Sequence, residues 1–152
     1  MKKIAAILLL TPLLSLADAL PNPILTPGEI NPKITQSNIH KTICISGFTG
    51  TIRPPVSYTN KLKAEQINQY GYADKNMSHY EEDHLIPLSV GGHPSSPKNL
   101  WPEAYAGAEG ARKKDVLEGY MHRAVCDGKI SLKDAQYIFT HNWVSVYYQV
   151  IK

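Results

Sequence analysis

The chain has 152 residues and a formal net charge of +3, with 43% apolar and 19% charged residues. This length suits one domain with a modest core, and the composition excludes a disordered chain. The small positive charge also excludes a protein that coats nucleic acid through charge alone, because such proteins need a large basic excess. Eleven prolines and ten glycines predict short elements joined by many loops.

Residues 1–19 have the features of a secretory signal peptide. A short basic start is followed by a mostly apolar run, Ile4 to Leu16, and by the small residues of a cleavage site, Ala17-Asp18-Ala19. The apolar run has about 13 residues, whereas a membrane-spanning helix needs roughly 20. We therefore favour a cleaved leader over a membrane anchor, and expect a secreted or periplasmic protein without stable membrane association. Its mature net charge would be +2.

The first half of the mature chain predicts an arm, a strand and a helix. Residues 20–38 hold four prolines and little periodicity, which is typical of an extended N-terminal arm or linker. Residues 39–45 alternate weakly between apolar and polar, which predicts a short strand. Thr59 can cap a helix that ends near Tyr70. The inward face of this helix would consist of Leu62, Gln66 and Ile67.

The second half predicts two strands and two helices. Residues 79–86 and 99–101 have strand character, and the segment between them is a loop rich in glycine and proline. Apolar spacings of three and four predict a helix from about residue 106 to 126. Ser131 and Asp134 form a capping box for a further helix that ends near Thr140. The aromatic segment after it is expected to pack that helix onto the core.

The two cysteines, Cys44 and Cys126, predict one disulfide, since export leads to an oxidising compartment. Such a bridge would close a loop of about 80 residues, which is worth roughly 4 to 5 kcal/mol in the chain-entropy model. The alternative is that both cysteines contribute to a zinc site. The absence of a C-x-x-C pair disfavours this alternative.

Asp83 and His84 are the strongest candidates for a chemical site. Histidine is the side chain whose titration range suits a general base near neutral pH. A carboxylate is a natural ligand for a hard divalent cation, which neutralises a phosphate during hydrolysis. The pair therefore offers both groups that phosphodiester hydrolysis needs, beside a loop that holds Gly91-Gly92.

The surrounding residues carry a resemblance to a known family. Glu82-Asp-His-Leu-Ile-Pro, Gly91-Gly92 and Asn99-Leu-Trp-Pro-Glu, followed by a helix, resemble the HNH family of ββα-metal endonucleases, and more closely its small secreted bacterial type. The resemblance is specific over residues 80–127 and weaker over 41–72. It implies that His84 is the general base and that Asp83 binds a divalent cation, Mg²⁺ or Mn²⁺ with Zn²⁺ as the alternative. It also implies that Asn99 ties down the loop and orients the His84 ring.

The chain departs from that family at the start of the helix, where a second His or Asn ligand is usual. The corresponding positions hold Ala108, Glu109 and Gly110, and glycine has no side chain to offer. We therefore expect Glu109 as the second metal ligand, with Glu103 and Asp115 further off.

Arg112, Lys113 and Lys114 follow on the same helix and are candidate contacts to the substrate phosphate. The alternative is that they lie on a solvated helix face, paired with acids one turn away. Neither interpretation is excluded by the sequence.

We predict an α+β fold in which residues 39–152 form a ββα-metal, HNH-type finger with flanking helices, and in which residues 80–127 hold the core motif. The expected function is a secreted, divalent-metal-dependent endonuclease whose substrate is DNA or RNA. The alternative is a catalytically degenerate finger that binds nucleic acid or protein without cleaving it. A glycoside hydrolase is disfavoured, because adjacent acids in one strand do not form the opposed pair that it needs.

Overall fold

The computed structural model describes residues 20–106 and 110–151, in which five helices accompany one antiparallel pair of strands. The predicted leader, residues 1–19, lies outside the described residues. The elements are α1 Phe48–Ile52, α2 Val56–Gln69, β1 Tyr80–His84, β2 Leu100–Ala104, α3 Ala111–Cys126, α4 Leu132–His141 and α5 Trp143–Val150. The predicted mixture of helices and sheet is confirmed.

The two strands pair in continuous register, from Tyr80 opposite Ala104 to His84 opposite Leu100. β2 is longer than the predicted strand and includes Pro102. Proline is compatible with this position, because each strand of a two-stranded sheet has a free edge that needs no backbone donor. The regular pairing carries β1 without a bulge as far as its last residue, His84.

The proline-rich arm, residues 20–38, lies along the loop that joins the two strands, residues 85–99. Backbone hydrogen bonds connect Gly28 N–H to the Lys98 carbonyl (2.9 Å), Asn31 N–H to the Gly91 carbonyl (2.8 Å) and His93 N–H to the Glu29 carbonyl (2.7 Å). Ile34 at the end of the arm is buried in the core. Extended backbone needs such partners when it is covered, so the arm is an integral part of the fold rather than a free linker.

The predicted strand at residues 39–45 is wrong. Gln36–Lys41 is a 3-10 helix, and the chain then turns until α1 begins. The Asn38 side chain accepts a hydrogen bond from Thr35 N–H (2.9 Å), and the Thr42 hydroxyl donates to the Asn38 carbonyl (2.9 Å). Local side-chain bonds of this kind compete with strand pairing.

The predicted inward face of α2 is confirmed, since Leu62, Gln66 and Ile67 are buried. The helix starts three residues before Thr59, because Pro55 supplies the extended backbone of the N-cap and a fixed φ that leads into a helix. α2 packs against both strands.

The apolar spacing that predicts α3 includes Val116, Leu117 and Val125, but not all of these residues face inward. Leu117 and Val125 are buried, whereas Val116 is 48% exposed. Lys114, a charged residue, is at an inward position instead. α3 therefore brings an ammonium group against the strands.

The main core lies between the arm, the loop and the last three helices. The predicted disulfide between Cys44 and Cys126 is confirmed, and it joins the turn before α1 to the last residue of α3. The predicted cap of α4 is also confirmed, because Ser131 Oγ accepts a hydrogen bond from Asp134 N–H at 3.1 Å. Within the described residues, none of the helices combines the length and the apolar character needed to cross a membrane. The core residues are Ile34, Ile39, Ile43, Ile86, Val90, Leu117, Met121, Val125, Leu132, Ala135, Phe139 and Trp143.

Gly92→Ala tests the packing of the loop against its own backbone. A Cβ atom at this position would lie 1.7 Å from the Ile86 carbonyl oxygen, so the backbone must shift. We expect a loss of about 2 kcal/mol or more in the free energy of unfolding, measured by urea denaturation. The matched control is Gly50→Ala in α1, where a Cβ meets nothing within 4 Å; equal losses in the two variants would contradict the proposed crowding.

Candidate functional site

The Lys114 ammonium lies at the centre of the site and has no exposed side-chain surface. Its Nζ donates to Asp83 Oδ2 (2.5 Å), to the His84 carbonyl (2.8 Å) and to Glu118 Oε1 (2.7 Å). An ammonium group has three hydrogens to donate, so its capacity is filled. A buried charge is tolerated only with such partners. The contacts with Asp83 and His84 join α3 to the end of β1, and the contact with Glu118 lies within α3.

Glu103 lies beside Asp83 and completes the buried group. Both of its carboxyl oxygens are covered and receive no hydrogen bond from a donor group in the described chain, but the Asp83 carboxylate is within hydrogen-bonding reach. Two carboxyl groups can bond to each other only if one keeps its proton. Burial and the Asp83 charge raise the pKa of Glu103 well above its ordinary value, despite Lys114.

Asp83 is the ionised member of this pair. Burial by itself raises the pKa of Asp83, but the Lys114 charge and the hydrogen bond from Glu103 outweigh it and lower the pKa to about 2. Burial raises the pKa of Glu118, the third acid, to about 7, while Lys114 opposes the shift. Near neutral pH Asp83 is therefore ionised beside Lys114 and Glu103 is protonated, while Glu118 titrates in this range.

The His84 side chain has different partners from Asp83, as strand alternation predicts for adjacent residues. His84 Nε2 lies 2.8 Å from the Pro94 carbonyl oxygen. Because that oxygen can only accept, Nε2 carries the hydrogen, and the neutral ring has its lone pair on Nδ1. Burial lowers the pKa of His84, while the Pro94 hydrogen bond and Asp83 act in the opposite direction. The ring is 3% exposed.

Asn99 joins the two sides of the loop through its amide. Oδ1 accepts from Ile86 N–H (3.0 Å) and Glu29 N–H (3.3 Å), and Nδ2 donates to the carbonyls of Ile86 (3.0 Å) and His93 (3.1 Å). His93 precedes Pro94, whose carbonyl receives the His84 ring. Asn99 therefore positions His84 indirectly, through the peptide next to its partner.

The described residues do not fit a divalent cation on Asp83. The carboxylate is already bonded to Lys114 and Glu103. In the described chain, three side-chain ligand atoms of His, Cys, Asp or Glu do not come together around Asp83. Glu109, the predicted second ligand, lies outside the described residues.

The structure gives a physical reason for Gly110 at the start of α3. A Cβ atom there would lie 2.6 Å from the Tyr105 carbonyl oxygen and 3.0 Å from that of Ala104. Real Cβ atoms essentially never approach a carbonyl oxygen that closely. Gly110, one of the three positions at which the resemblance would place a second ligand, therefore has no room for a side chain.

The three predicted phosphate contacts lie in different surroundings, and the prediction is wrong for Lys114, which is buried in the ion pair with Asp83. Arg112 is exposed and lines an open cavity of about 580 Å³ together with Asp74, His79 and Tyr105. Lys113 Nζ donates to the Tyr148 hydroxyl at 2.6 Å, so it packs against α5. Asp83, His84 and Asn99 do come together at the hairpin.

Sequence reasoning missed the central role of Lys114 and the proximity of Glu103. One signal was available, because Lys114 and Glu118 are four residues apart and such pairs meet on a helix. The helical spacing of Lys114 from the buried Leu117 and Met121 also indicated an inward position. The partner on β1 depends on strand register and helix docking, which the local pattern does not contain.

No family model, curated protein or solved structure matches the chain. The function is therefore argued from the residues and their geometry.

Glu82 is a further buried acid, and it faces away from this group. Both carboxylate oxygens are covered without a hydrogen-bond donor from the described residues. Burial raises the pKa of Glu82 to about 8, although Lys63 of α2 opposes the shift. The folded protein therefore holds this proton at neutral pH.

Lys114→Met tests the buried ion pair. The variant leaves Asp83 charged and buried without its partner, so we expect a loss of about 3 to 5 kcal/mol in the free energy of unfolding, measured by urea denaturation. Adding Asp83→Asn removes the stranded charge and should restore much of this loss. The control is Lys129→Met, which breaks an exposed ion pair with Asp127 and should change little; a similarly small effect of Lys114→Met would contradict the assignment.

Glu82→Gln tests the pH dependence of stability. The unfolded chain loses the Glu82 proton near pH 4.5, whereas the folded protein keeps it up to about pH 8. The unfolded state therefore binds fewer protons in this window, and stability falls as the pH rises from about 5 to 8 and then levels off. Glutamine does not titrate, so the decrease in the free energy of unfolding over this pH range should be smaller in the variant by about 2 kcal/mol.

Thermal and urea unfolding from pH 5 to pH 9 would measure this difference. The matched control for the loss of a carboxylate is Glu65→Gln, because Glu65 is an exposed residue of α2. Identical slopes for wild type and Glu82→Gln would show that the Glu82 proton is not retained.

Proposed function

We propose that the protein hydrolyses phosphodiester bonds of nucleic acid, with His84 as the general base. The observation that carries this proposal is the fixed ring: Nε2–H is bound to the Pro94 carbonyl at 2.8 Å. The basic Nδ1 is thereby defined in one tautomer, and burial favours the neutral form by lowering the pKa of His84. A neutral, oriented imidazole is the form that accepts a proton.

The order of elements supports an HNH-type finger as the proposed fold of this region. β1, the loop, β2 and α3 follow one another, and Asn99 ties the loop as the resemblance implies. Strained or uncompensated polar groups are costly, and clusters of groups with shifted pKa values are more frequent at functional sites than elsewhere. Glu103 beside Asp83 and Glu82 on the other face of β1 are such groups.

The metal step of the HNH family is not carried over to this protein. A bound divalent cation would supply charge neutralisation at the phosphate, but Asp83 is already satisfied by Lys114. Lys114 instead holds the carboxylate and the His84 carbonyl in place. It acts as a positioning residue, since it has no exposed surface through which to touch a substrate.

Arg53 is the cation best placed to meet a phosphate beside His84. Its side chain is exposed, and it lies close enough for its charge to act on His84, Glu81 and Asp115. In the proposed step, His84 Nδ1 takes the proton from an attacking hydroxyl and a new P–O bond forms. The P–O bond to the leaving oxygen breaks, that oxygen takes a proton from solvent, and His84 returns its proton to solvent. Arg53 balances the phosphate charge.

RNA is the substrate that this arrangement favours. Its ribose 2′-hydroxyl is already held next to the phosphate, so the attack is intramolecular and needs less assistance than attack by free water. This attack leaves a cyclic phosphate, which water opens in a second step to complete the hydrolysis. The disulfide fits the proposed secretion, since such bonds persist in oxidising compartments.

A finger that binds without cleaving is the second candidate, and the Lys114–Asp83 ion pair favours it. An internal ammonium occupies the carboxylate that would otherwise bind metal, and Gly110 has no room for a second ligand. In this alternative the buried network is a structural replacement for the ion, and the protein only binds its partner.

A cleavage assay on the oxidised protein tests the proposal. We expect RNA to be cleaved in the presence of EDTA as well as with Mg²⁺ or Mn²⁺, with plasmid DNA cleaved more slowly or not at all. His84→Gln should lower the rate by about 100-fold or more, since this is the usual contribution of a general base. His141→Gln at the exposed end of α4 is the matched control, and thermal unfolding should show that both variants remain folded.

Three results would change the proposal. Unchanged activity in His84→Gln would remove His84 as the base. Cleavage that is abolished by EDTA would place a metal on residues other than those described around Asp83. Absence of cleavage under every condition would support the second candidate.

A further inference from the structure

A cluster of side chains that could bind a metal ion lies at the disulfide. Cys44, Cys126 and His122 each offer one ligand atom, and these three atoms lie within 4.8 Å of one another. All three residues are partly exposed, so both a reductant and an ion can reach them. Two thiolates and one imidazole are a donor set typical of zinc sites.

These three side chains come from two parts of the fold, α3 and the turn before α1. His122 and Cys126 are four residues apart in α3 and therefore lie on the same face of the helix. Cys44 comes from the turn before α1 and is held 5.7 Å from Cys126, measured between Cα atoms. The spacing of His122 and Cys126 favours a zinc site in spite of the absence of a C-x-x-C pair.

The His122 ring is oriented by a backbone group. Its Nε2 lies 2.9 Å from the Ile43 carbonyl oxygen, which can only accept, so Nε2 carries the hydrogen. The neutral ring then has its lone pair on Nδ1. A hydrogen bond from the second ring nitrogen to a carbonyl is the usual way in which a metal-binding histidine is held, and here the carbonyl belongs to the residue next to Cys44.

We propose that Cys44, Cys126 and His122 form a zinc site when the disulfide is reduced. The ion would bind two thiolates and one imidazole, with water as the fourth ligand. Thiolate and imidazole ligands select Zn²⁺ over hard cations such as Mg²⁺. The site exists in one redox state only, because the same sulfur atoms are bonded to each other in the oxidised protein.

The exchange balances in atoms and electrons. A dithiol reductant gives two electrons and two protons to the Cys44–Cys126 bond and becomes a disulfide itself. The two thiols then lose two protons as Zn²⁺ binds, and no further electron is transferred. The His122 ring keeps its Nε2 hydrogen throughout.

The zinc ion would replace the disulfide as a link across the fold. The bond joins the turn before α1 to the end of α3, and the two cysteines are 82 positions apart in the sequence. Reduction removes that link, and a metal bound to both cysteines restores it by coordination. The reduced protein would therefore remain stable where Zn²⁺ is present, which gives the chain two interchangeable links at one position.

Calorimetric titration with Zn²⁺ and optical titration with Co²⁺ test this site. The protein is reduced with a phosphine, which is oxidised to its oxide with the oxygen of water, and is kept without air. We expect one ion to bind per reduced chain, with a thiolate-to-cobalt charge-transfer band, and none to bind this site in the oxidised protein. His122→Gln should weaken binding by at least 10-fold, whereas His141→Gln should leave it unchanged.

The thermal midpoint distinguishes a built site from binding to unfolded thiols. Zn²⁺ should raise the midpoint of the reduced wild type and leave that of the oxidised protein unchanged. The proposal fails if the reduced protein takes up no Co²⁺, if His122→Gln binds as tightly as wild type, or if Zn²⁺ does not stabilise the reduced fold. These results are independent of nuclease activity.

Discussion

An ammonium group without contact with water needs a partner for each of its hydrogens, and this requirement organises the centre of the protein. Lys114 meets it with two carboxylates and one backbone carbonyl. These partners come from β1 and from the next turn of α3, so the ion pair fixes how the helix lies on the strands. Removal of one partner would leave an uncompensated buried charge, which costs far more than an exposed ion pair is worth.

The same contacts decide what Asp83 can do. A carboxylate that accepts from Lys114 and from a protonated Glu103 has little capacity left for a metal ion. The His84 ring has a different partner, the Pro94 carbonyl on the loop. Asp83 and His84 are adjacent in sequence but have separate partners: Asp83 belongs to the internal ion pair, and the His84 ring bonds to the loop.

The loop that carries Pro94 is held from both sides. The arm pairs with it through backbone hydrogen bonds, and Asn99 bridges its two ends. The disulfide joins the opposite side of the core to the end of α3. Precise placement of the His84 ring thus depends on segments that have little regular secondary structure, since extended backbone can satisfy its polar groups against the loop.

Local signals in the sequence determined the elements whose pattern is repeated within a few residues: the inward face of α2, the Ser131 cap of α4, and the existence of the hairpin around Asp83. The two cysteines by themselves indicated the disulfide. The tertiary structure alone decided that residues 39–45 turn rather than pair, that Lys114 points inward, that Gly110 is crowded by a carbonyl, and that His122 lies beside both cysteines. Each of these depends on atoms that are distant along the chain, because docking angles and strand register decide which groups meet, and a local pattern of residue types does not encode them.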